Sequence, residues 1–280
     1  MSKFSKRLGF AVLFASVALP AFAADMVEPV PEVEPTPVVE QTAYNGWYIR
    51  GDAAYRWSEL RGINYITYGA GCCTLPGTKD FDFGKLKGAL SLGGGVGYQV
   101  TNHFRVDLTG DYFFKSKFRG QTSDFTSVSV DTSSYSAFLL LANAYADLGT
   151  YNGFTPYVGA GIGGANVRWN DLRNTIEPGI DNFHKGARNW RFAYSLMAGA
   201  SYCLTDKLAL DGGYRFTRIN GGRMFEEHSA GGVSLGAGPG FDRGFNMHEV
   251  RAGLRYSFGG NSNCAAPQTV SYEPAPVYKQ

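Results

Sequence analysis

The chain has 280 residues, with 37 glycines, 15% aromatic residues and 18% charged residues. Its 26 basic and 24 acidic residues give a formal net charge of +2; without Lys3, Lys6 and Arg7 at the amino terminus, 23 basic residues remain and the balance is −1. Without a basic excess, no binding of nucleic acid is expected, and many glycines and tyrosines with few charges are typical of short strands with aromatic ends.

The first 23 residues have the pattern of a Sec-type signal peptide. Lys3, Lys6 and Arg7 precede a short apolar segment at 8–19, and small residues mark a cleavage site after Ala23. The apolar segment is too short to span a bilayer. Residues 24–44 alternate proline with glutamate, a composition that cannot bury a core, and are predicted to form an extended acidic arm in the periplasm.

From residue 45 onward, eight segments alternate apolar with polar residues. In the last of them, Val250 and Leu254 alternate with Arg251 and Arg255, so a strand would have one apolar and one charged face. The facing of the glycine-rich fifth segment is left open. The predicted strands are 47–57, 84–100, 104–114, 134–148, 156–167, 190–204, 208–218 and 248–258.

Long and short connections alternate strictly between these segments. The long ones are predicted loops at 58–83, 115–133, 168–189 and 219–247. A soluble sandwich has no reason for this alternation, whereas a barrel inserted from the periplasm has short turns on that side and long loops outside, and its closure leaves no strand edge in lipid. The sequence therefore predicts an all-β, eight-stranded antiparallel transmembrane up-and-down β-barrel over 45–258, with both termini periplasmic.

The polar faces carry charges of both signs, which an eight-stranded barrel would enclose in a narrow interior. Because unpaired charge in such a space is costly, these side chains are expected to pair and plug the lumen; a narrow conducting pore is the alternative. The predicted lumen charge network is Arg50, Asp52, Arg56, Lys85, Lys87, Arg105, Asp107, Asp111, Asp147, Arg191, Asp211, Arg215, Glu249, Arg251 and Arg255.

The four cysteines would lie in an oxidising compartment, where disulfides persist. Cys203 ends the sixth predicted strand and Cys264 follows the eighth, so both lie at the same rim and could form a disulfide. Cys72 and Cys73, in the first loop, could pair with each other or with another chain. Their pairing is left open.

Two loop histidines, His184 and His228, could contact a ligand at the loops or ligate haem iron, although such residues are more often surface bystanders. No metal motif is present, so no metal is expected, and haemin is the one cofactor considered. His248 could lie near Ser229 and Glu249, but nothing fixes a catalytic geometry, and we expect no enzyme activity.

Several stretches resemble the opacity-protein or OmpA-like small outer-membrane barrels, most of all the alphaproteobacterial surface antigens. They are the acidic arm, GWYIRG at 46–51, NAYADLG at 143–149, PYVGAG at 156–161 and GLRYSF at 253–258. The resemblance implies an abundant envelope component, sometimes called porin-like, with some relatives that bind haemin or host surfaces. Tyr256 and Phe258 are similar to the signal read by the outer-membrane assembly machinery, although a tail at 259–280 follows here.

These observations predict a structural protein of the Gram-negative outer membrane that supports envelope integrity and presents four surface loops. The expected partners are outer-membrane lipid, lipopolysaccharide and the assembly machinery, with peptidoglycan as a candidate for the arm and the periplasmic tail. Two alternatives stay open: a surface receptor or adhesin that binds haemin or a host ligand through the loops, and a narrow porin-like channel.

Overall fold

Eight long strands dominate the computed structural model, which describes residues 45–68, 76–124, 127–227, 229–230, 233–234, 237–258 and 264. They are β1 (Gly46–Leu60), β2 (Ala89–Gln99), β3 (Phe104–Ser123), β4 (Val128–Asp147), β5 (Phe154–Trp169), β6 (Arg188–Cys203), β7 (Leu208–Ile219) and β8 (Phe245–Ser257). In these described ranges, no helix is long and apolar enough to cross a membrane.

The eight strands form a closed antiparallel ring. Each pairs with the next along the chain, and β1 pairs with β8 from Tyr48 opposite Ser257 to Leu60 opposite Phe245. Closure gives every barrel strand two hydrogen-bonded neighbours, so the ring has no free edge. The predicted eight-stranded antiparallel barrel is confirmed, and each predicted strand overlaps one strand of the ring.

The two faces of each strand differ as the alternation predicts. On β1, Trp47 and Tyr55 point outward with 60% and 53% of their surface exposed, whereas Tyr48 and Arg56 point inward with 1% exposed. Exposed aromatic rings meet near both ends of the ring, as in the edge-to-face pair of Trp47 and Tyr98, whose centroids lie 5.3 Å apart. An apolar outer band between aromatic belts is typical of barrels that face lipid.

Three short connections lie at one end of the barrel, which we call the turn end; the opposite end is the loop end. The turns after β2 and β6 are built alike: the Oγ1 of Thr101 accepts hydrogen bonds from backbone amides two and three residues on, and that of Thr205 does the same. At the turn end the structure also contains the disulfide between Cys203 and Cys264, with Cα atoms 5.4 Å apart. Cys72 and Cys73 lie outside the described residues.

The predicted loop at 115–133 is wrong. Strands β3 and β4 continue through it as a long hairpin, paired from Ser116 opposite Tyr135 to Ser123 opposite Val128. Beyond Phe114 the outward positions become polar, which a segment outside an apolar band requires. The serine- and threonine-rich composition indicated a loop, but the period of two persists and specifies strands.

The other predicted loops also contain strands. Phe83–Leu86 pairs with the extension of β3, Leu172–Ile176 pairs with that of β4, and Ile180–His184 pairs with Leu172–Ile176. A separate four-stranded sheet and a short two-stranded pair complete the loop end. The four-stranded sheet has the order Gly222–Phe225, Ala237–Asp242, Ile63–Thr67 and Gly77–Asp80, and the pair is Ser229–Ala230 with Val233–Ser234.

Candidate functional site

Charged side chains fill the half of the barrel interior nearest the turn end. All come from inward positions of the barrel strands, and all are at least nine-tenths buried. Seven of them form a continuous series of ion pairs, which we call the ion-pair chain. In order, it runs through Asp107, Arg50, Asp52, Arg251, Asp111, Arg215 and Glu249.

Arg215, on β7, is the most enclosed cation of this chain. Its Nη1 lies 2.7 Å from Asp111 on β3, across the interior, and its Nε lies 2.6 Å from Glu249 on the neighbouring strand β8. The Oγ of Ser91 also donates to Glu249 at 3.2 Å. Such charge-assisted bonds at full burial hold two carboxylates that would otherwise be costly to enclose.

Arg50 and Arg251 connect the remaining carboxylates. Arg50 lies 2.7 Å from Asp52 and 3.3 Å from Asp107, while Arg251 lies 3.3 Å from Asp52 and 3.1 Å from Asp111. The chain thus ties β1, β3, β7 and β8 together through side chains as well as through backbone pairing.

Two further pairs lie closer to the turn end. Arg105 contacts Asp147 at 3.0 Å, with its guanidinium carbon 4.3 Å and 4.7 Å from the ring centroids of Tyr145 and Tyr157. Arg255 and Asp211, on β8 and β7, are 3.4 Å apart. Cation–π contacts of this kind compensate for part of the lost hydration of a buried guanidinium.

Two members of the predicted network, Lys85 and Lys87, do not lie in the interior; both are exposed. The single strand predicted over 84–100 is interrupted at residues 87–88. The interruption reverses which side chains face inward, so Leu86 packs against the buried core and Lys85 points away, opposite Arg119. The prediction assumed a single inward–outward alternation over 84–100 and therefore assigned Lys85 and Lys87 to the wrong face.

The structure instead supplies a carboxylate that the sequence reasoning missed. Asp242 accepts two hydrogen bonds from Nη1 of Arg191, at 2.8 Å and 2.7 Å. It belongs to the strand Ala237–Asp242, within a stretch that was interpreted as a glycine-rich loop. Without the two lysines and with Asp242, the enclosed network has seven arginines and seven carboxylates. The signal available in the sequence was the period-two spacing of Gly238, Gly240 and Asp242.

Arg56 marks the boundary between the two halves of the interior. No carboxylate of the described residues pairs with it; it donates to the Tyr135 hydroxyl at 2.7 Å and to the carbonyl oxygen of Phe114 at 2.6 Å. Its guanidinium carbon also lies 4.7 Å from the ring centroid of Phe113. The cation is therefore held by aromatic rings and neutral acceptors.

The half of the interior nearest the loop end is mostly apolar; the Arg191–Asp242 pair also lies on this side, with the guanidinium carbon of Arg191 5.6 Å from the ring centroid of Phe245. Trp169 lies at its centre, with ring centroids 5.3 Å from Tyr135, 5.4 Å from Phe225 and 6.1 Å from Phe245. We call this group the aromatic cluster; its buried members are Ile63, Phe113, Phe118, Tyr135, Ala137, Leu139, Leu141, Ala165, Val167, Trp169, Leu172, Ala193, Ile219, Met224, Phe225, Phe245 and Met247. Polar inward faces were expected throughout, but Leu139 and Leu141, inward in the most apolar predicted strand, already contradicted that expectation.

A cavity of about 220 Å³ lies above the aromatic cluster, within the strands of the loop end. Leu172 and Phe225 of the cluster form part of its lining, and Tyr65 and Phe81 form another part, with ring centroids 5.6 Å apart. Because the packed aromatic cluster forms the bottom of this cavity, a small group could bind in the cavity without reaching the barrel interior.

Asp131 is the buried charge in the wall of this cavity, with 1% of its surface exposed. Asn174 donates to its Oδ1 at 2.7 Å and Thr122 to its Oδ2 at 3.5 Å, and no lysine or arginine of the described residues forms an ion pair with it. Burial raises the pKa of Asp131 to about 6, against the lowering effect of these two hydrogen bonds. Burial likewise raises the pKa of the neighbouring Tyr65 to about 12, with Asp124 and Asp131 adding to the effect.

Of the two predicted loop histidines, His184 lines the same cavity, and His228 lies outside the described residues. His184 is 9% exposed, with Nδ1 at 3.4 Å from the carbonyl oxygen of Glu226. Pockets for drug-sized ligands typically have volumes of roughly 300–1,000 Å³. This cavity is smaller than that range and is too small for haem. The structure therefore gives haemin binding at His184 no support.

The residues proposed as an assembly signal lie on the outer face at the turn end. Tyr256 and Phe258 are 41% and 51% exposed, and their rings meet edge to face with centroids 5.4 Å apart. Both are accessible on the outer surface of the barrel.

Comparisons with known proteins identify a family for this chain. A family model described as an outer membrane protein beta-barrel domain matches residues 10–258. An uncharacterized protein of Brucella abortus is 38% identical over 271 residues, covering 85% of this chain and 93% of the relative. A putative adhesin of Rickettsia bellii is 29% identical and covers 69% of this chain and 86% of its own. The outer membrane protein OprG of Pseudomonas aeruginosa aligns with a TM-score of 0.44 at 17% identity, over 78% of this chain and 98% of OprG.

Proposed function

Because the chain belongs to the outer-membrane β-barrel family, we propose that it is a structural protein of the Gram-negative outer membrane whose barrel is closed to solutes. In this proposal the turn end, with both chain termini, faces the periplasm, and the four long connections are presented outside the cell. The alternation of short turns and long connections supports this orientation, because barrels inserted from the periplasm keep their short turns on that side. Lipid and lipopolysaccharide would contact the apolar outer band.

The observation that supports the proposal is that two different sets of side chains occupy the interior in series. The ion-pair chain occupies the half near the turn end, and the aromatic cluster occupies the half near the loop end. A solute would have to disrupt both, and an eight-stranded barrel is just wide enough for side chains to fill it. This arrangement favours a structural role over a porin-like channel.

Single-channel recording in planar bilayers tests the closed barrel. We expect no unitary conductance from the wild-type protein, from Arg251→Ala or from Trp169→Ala, because each substitution leaves the other half of the interior filled. Folding of each preparation is checked by its faster migration when unboiled on a detergent gel. Regular conductance steps in the wild type, altered by Arg251→Ala, would instead establish a channel.

Support of the envelope is tested in the native host. A deletion strain is expected to become sensitive to detergent and to large antibiotics. Both the wild-type protein and Asp131→Asn should restore resistance, because Asp131 lies in the extension of β4 at the loop end and not among the charges of the ion-pair chain. A deletion strain with unchanged sensitivity would contradict the structural role.

Recognition at the cell surface is the second candidate function, supported by the loop-end cavity and by the relative named a putative adhesin. In a non-adherent Gram-negative host, the wild-type protein should confer attachment to cultured host cells. A variant in which a short turn replaces residues 171–186 should not, although its barrel remains closed. Equal attachment by the two would exclude this hairpin from recognition.

A further inference from the structure

The buried carboxylates of the two halves of the molecule have different surroundings. Inside the barrel, each carboxylate of the ion-pair chain lies within 3.3 Å of an arginine. Asp131 is as deeply buried, yet its hydrogen bonds come from the neutral donors Asn174 and Thr122. A buried carboxylate without a cation is costly, and a cation supplied from outside would lower that cost.

The cavity beside Asp131 has an anionic lining. Among the described residues that line it, the side chains charged at neutral pH are Asp124 and Asp131, and no lysine or arginine is present. The half-buried cation Lys79 pairs with Asp124 at 2.8 Å. Asp82 adds negative charge close to Tyr65 and Asp131.

Aromatic rings complete this environment. Tyr65 and Phe81 meet edge to face in the wall, and Phe225 of the aromatic cluster lies in the floor. An aromatic face attracts a cation, most strongly where water is excluded. The volume of about 220 Å³ suits one small group or the end of a side chain rather than a large ligand.

We propose that this cavity binds a single organic cation, either a primary ammonium or a guanidinium group, with Asp131 as its counter-ion and Tyr65 and Phe81 against its apolar part. The inference rests on the second proposed function, recognition at the loop end, and specifies the chemistry of the ligand. The group is presented by a free small amine or by a lysine or arginine side chain of a peptide.

A neutral sugar is the competing ligand class, because asparagine, hydroxyl and aromatic groups also line sugar sites. In the part of the chain that the structure describes, no arginine or lysine forms an ion pair with Asp131. This favours the cation, since a neutral ligand would leave the carboxylate charge uncompensated. The two classes respond oppositely to removal of that charge, and the experiment uses this difference.

The test is calorimetric titration of the full chain in lipid nanodiscs with n-butylammonium, with n-butanol as the uncharged analogue. At pH 7.5 we expect butylammonium to bind about tenfold more tightly than butanol, which is the effect of one charge-assisted hydrogen bond. Asp131→Asn should abolish this preference. Asp181→Asn, on the exposed face of the adjacent hairpin at 172–184, where it pairs with Arg173, is the matched control and should retain it.

A second variant keeps the test decisive if Asp131→Asn disturbs the fold. Asn182→Lys places an ammonium group in the cavity lining while keeping the carboxylate, and we expect it to compete with and weaken butylammonium binding. Lowering the pH from 7.5 to 5 should weaken binding to the wild type roughly tenfold, because a carboxyl of pKa near 6 is mostly protonated at pH 5. The other titratable groups at the cavity are His184, Tyr65 and Asp124, and Asp82 lies close to Asp131.

A tripeptide with a central lysine distinguishes the sources of the cation. Tighter binding of the peptide than of butylammonium assigns the site to protein partners, and weaker binding assigns it to small amines; both results support the cation site. Equal binding of butanol, retention of the preference in Asp131→Asn, or binding of methyl glucoside that Asp131→Asn leaves unchanged would overturn it. The conductance of the same protein preparations is recorded in parallel. A failure of the closed-barrel proposal can then be distinguished from a failure of the cation site.

Discussion

The two halves of the barrel interior solve the same packing problem with different chemistry. Near the turn end, arginines and carboxylates from strands on opposite sides of the ring fill the space; near the loop end, aromatic and aliphatic side chains fill it. Burial of apolar surface stabilises a fold directly, by about 25 cal/mol per Å². Buried ion pairs barely recover the cost of their own dehydration. We infer that the aromatic cluster contributes most of the interior's stability and that the ion-pair chain specifies which strands face each other.

The largest effect is expected from breaking the ion-pair chain at Arg215. Arg215→Ala leaves Asp111 and Glu249 buried without their closest cation, which should lower the free energy of unfolding by about 3–5 kcal/mol. The measurement is the urea midpoint of the refolded barrel, followed by the band shift between unboiled and boiled samples.

A neutral triple variant shows whether charge pairing or mere filling matters in this half. Arg215→Met combined with Asp111→Asn and Glu249→Gln removes all three charges at similar volume, and it should recover most of the lost stability. If the triple variant is as unstable as Arg215→Ala, the unpaired charges are not the cause of the loss.

The aromatic cluster should respond to truncation rather than to charge. Trp169→Ala removes the ring that contacts Tyr135, Phe225 and Phe245, and it should cost about 3 kcal/mol at the closed centre of the cluster. Trp169→Phe should cost less than half as much. Because no ionisable group is lost, both differences should be the same at pH 5 and pH 8; a pH-dependent loss would mean that the two halves are coupled.

Substitution of Arg56 tests the boundary between the ion-pair chain and the aromatic cluster. Arg56→Lys keeps the charge but loses the planar contact with Phe113 and the paired bonds to Tyr135 and Phe114, so a loss of about 1–2 kcal/mol is expected. Arg119→Lys, on the exposed outer face, is the control and should not change the free energy of unfolding. If Arg56→Lys does not change the free energy of unfolding, the positive charge alone suffices at the boundary.

The comparison also shows what the sequence could reveal. Period-two alternation is a local property, so it located all eight barrel strands and placed residues such as Arg215 and Asp111 inward. It could not say that these two, 104 positions apart, would meet across the ring. It failed for Lys85 and Lys87 because the interruption at Lys87 and Gly88 reverses the facing. A glycine can mark such a break, but it does not stand out in a segment that contains several glycines.

The loop-end site was less accessible to sequence reasoning. Asp131 lies in a stretch whose serines and threonines indicated a loop, and its partners Asn174 and Thr122 come from separate strands. The sequence singles out His184 as a possible contact for a ligand at the loops or for haem iron, but it does not reveal the small cavity that His184 lines. Polar strands outside an apolar band look like loops in composition, so the assembly of a site from them depends on pairings that only the structure supplies.

The smallest change in stability is expected for Asp131→Asn, and it tests whether Asp131 differs from the paired carboxylates of the barrel. Its folded-state pKa of about 6 lies above the ordinary value of 3.8, so the stability linked to its proton is complete below about pH 4 and is lost as the pH rises through 6. Asp131→Asn should therefore stabilise the protein at pH 7.5 by about 1 kcal/mol, less than the roughly 3 kcal/mol limit set by the pKa difference, because the amide must replace the hydrogen bonds. At pH 4 the variant and the wild type should unfold at the same urea concentration. Destabilisation at pH 7.5 would mean that Asp131 is compensated like the carboxylates of the ion-pair chain, and the contrast between the two ends of the molecule would fail at this residue.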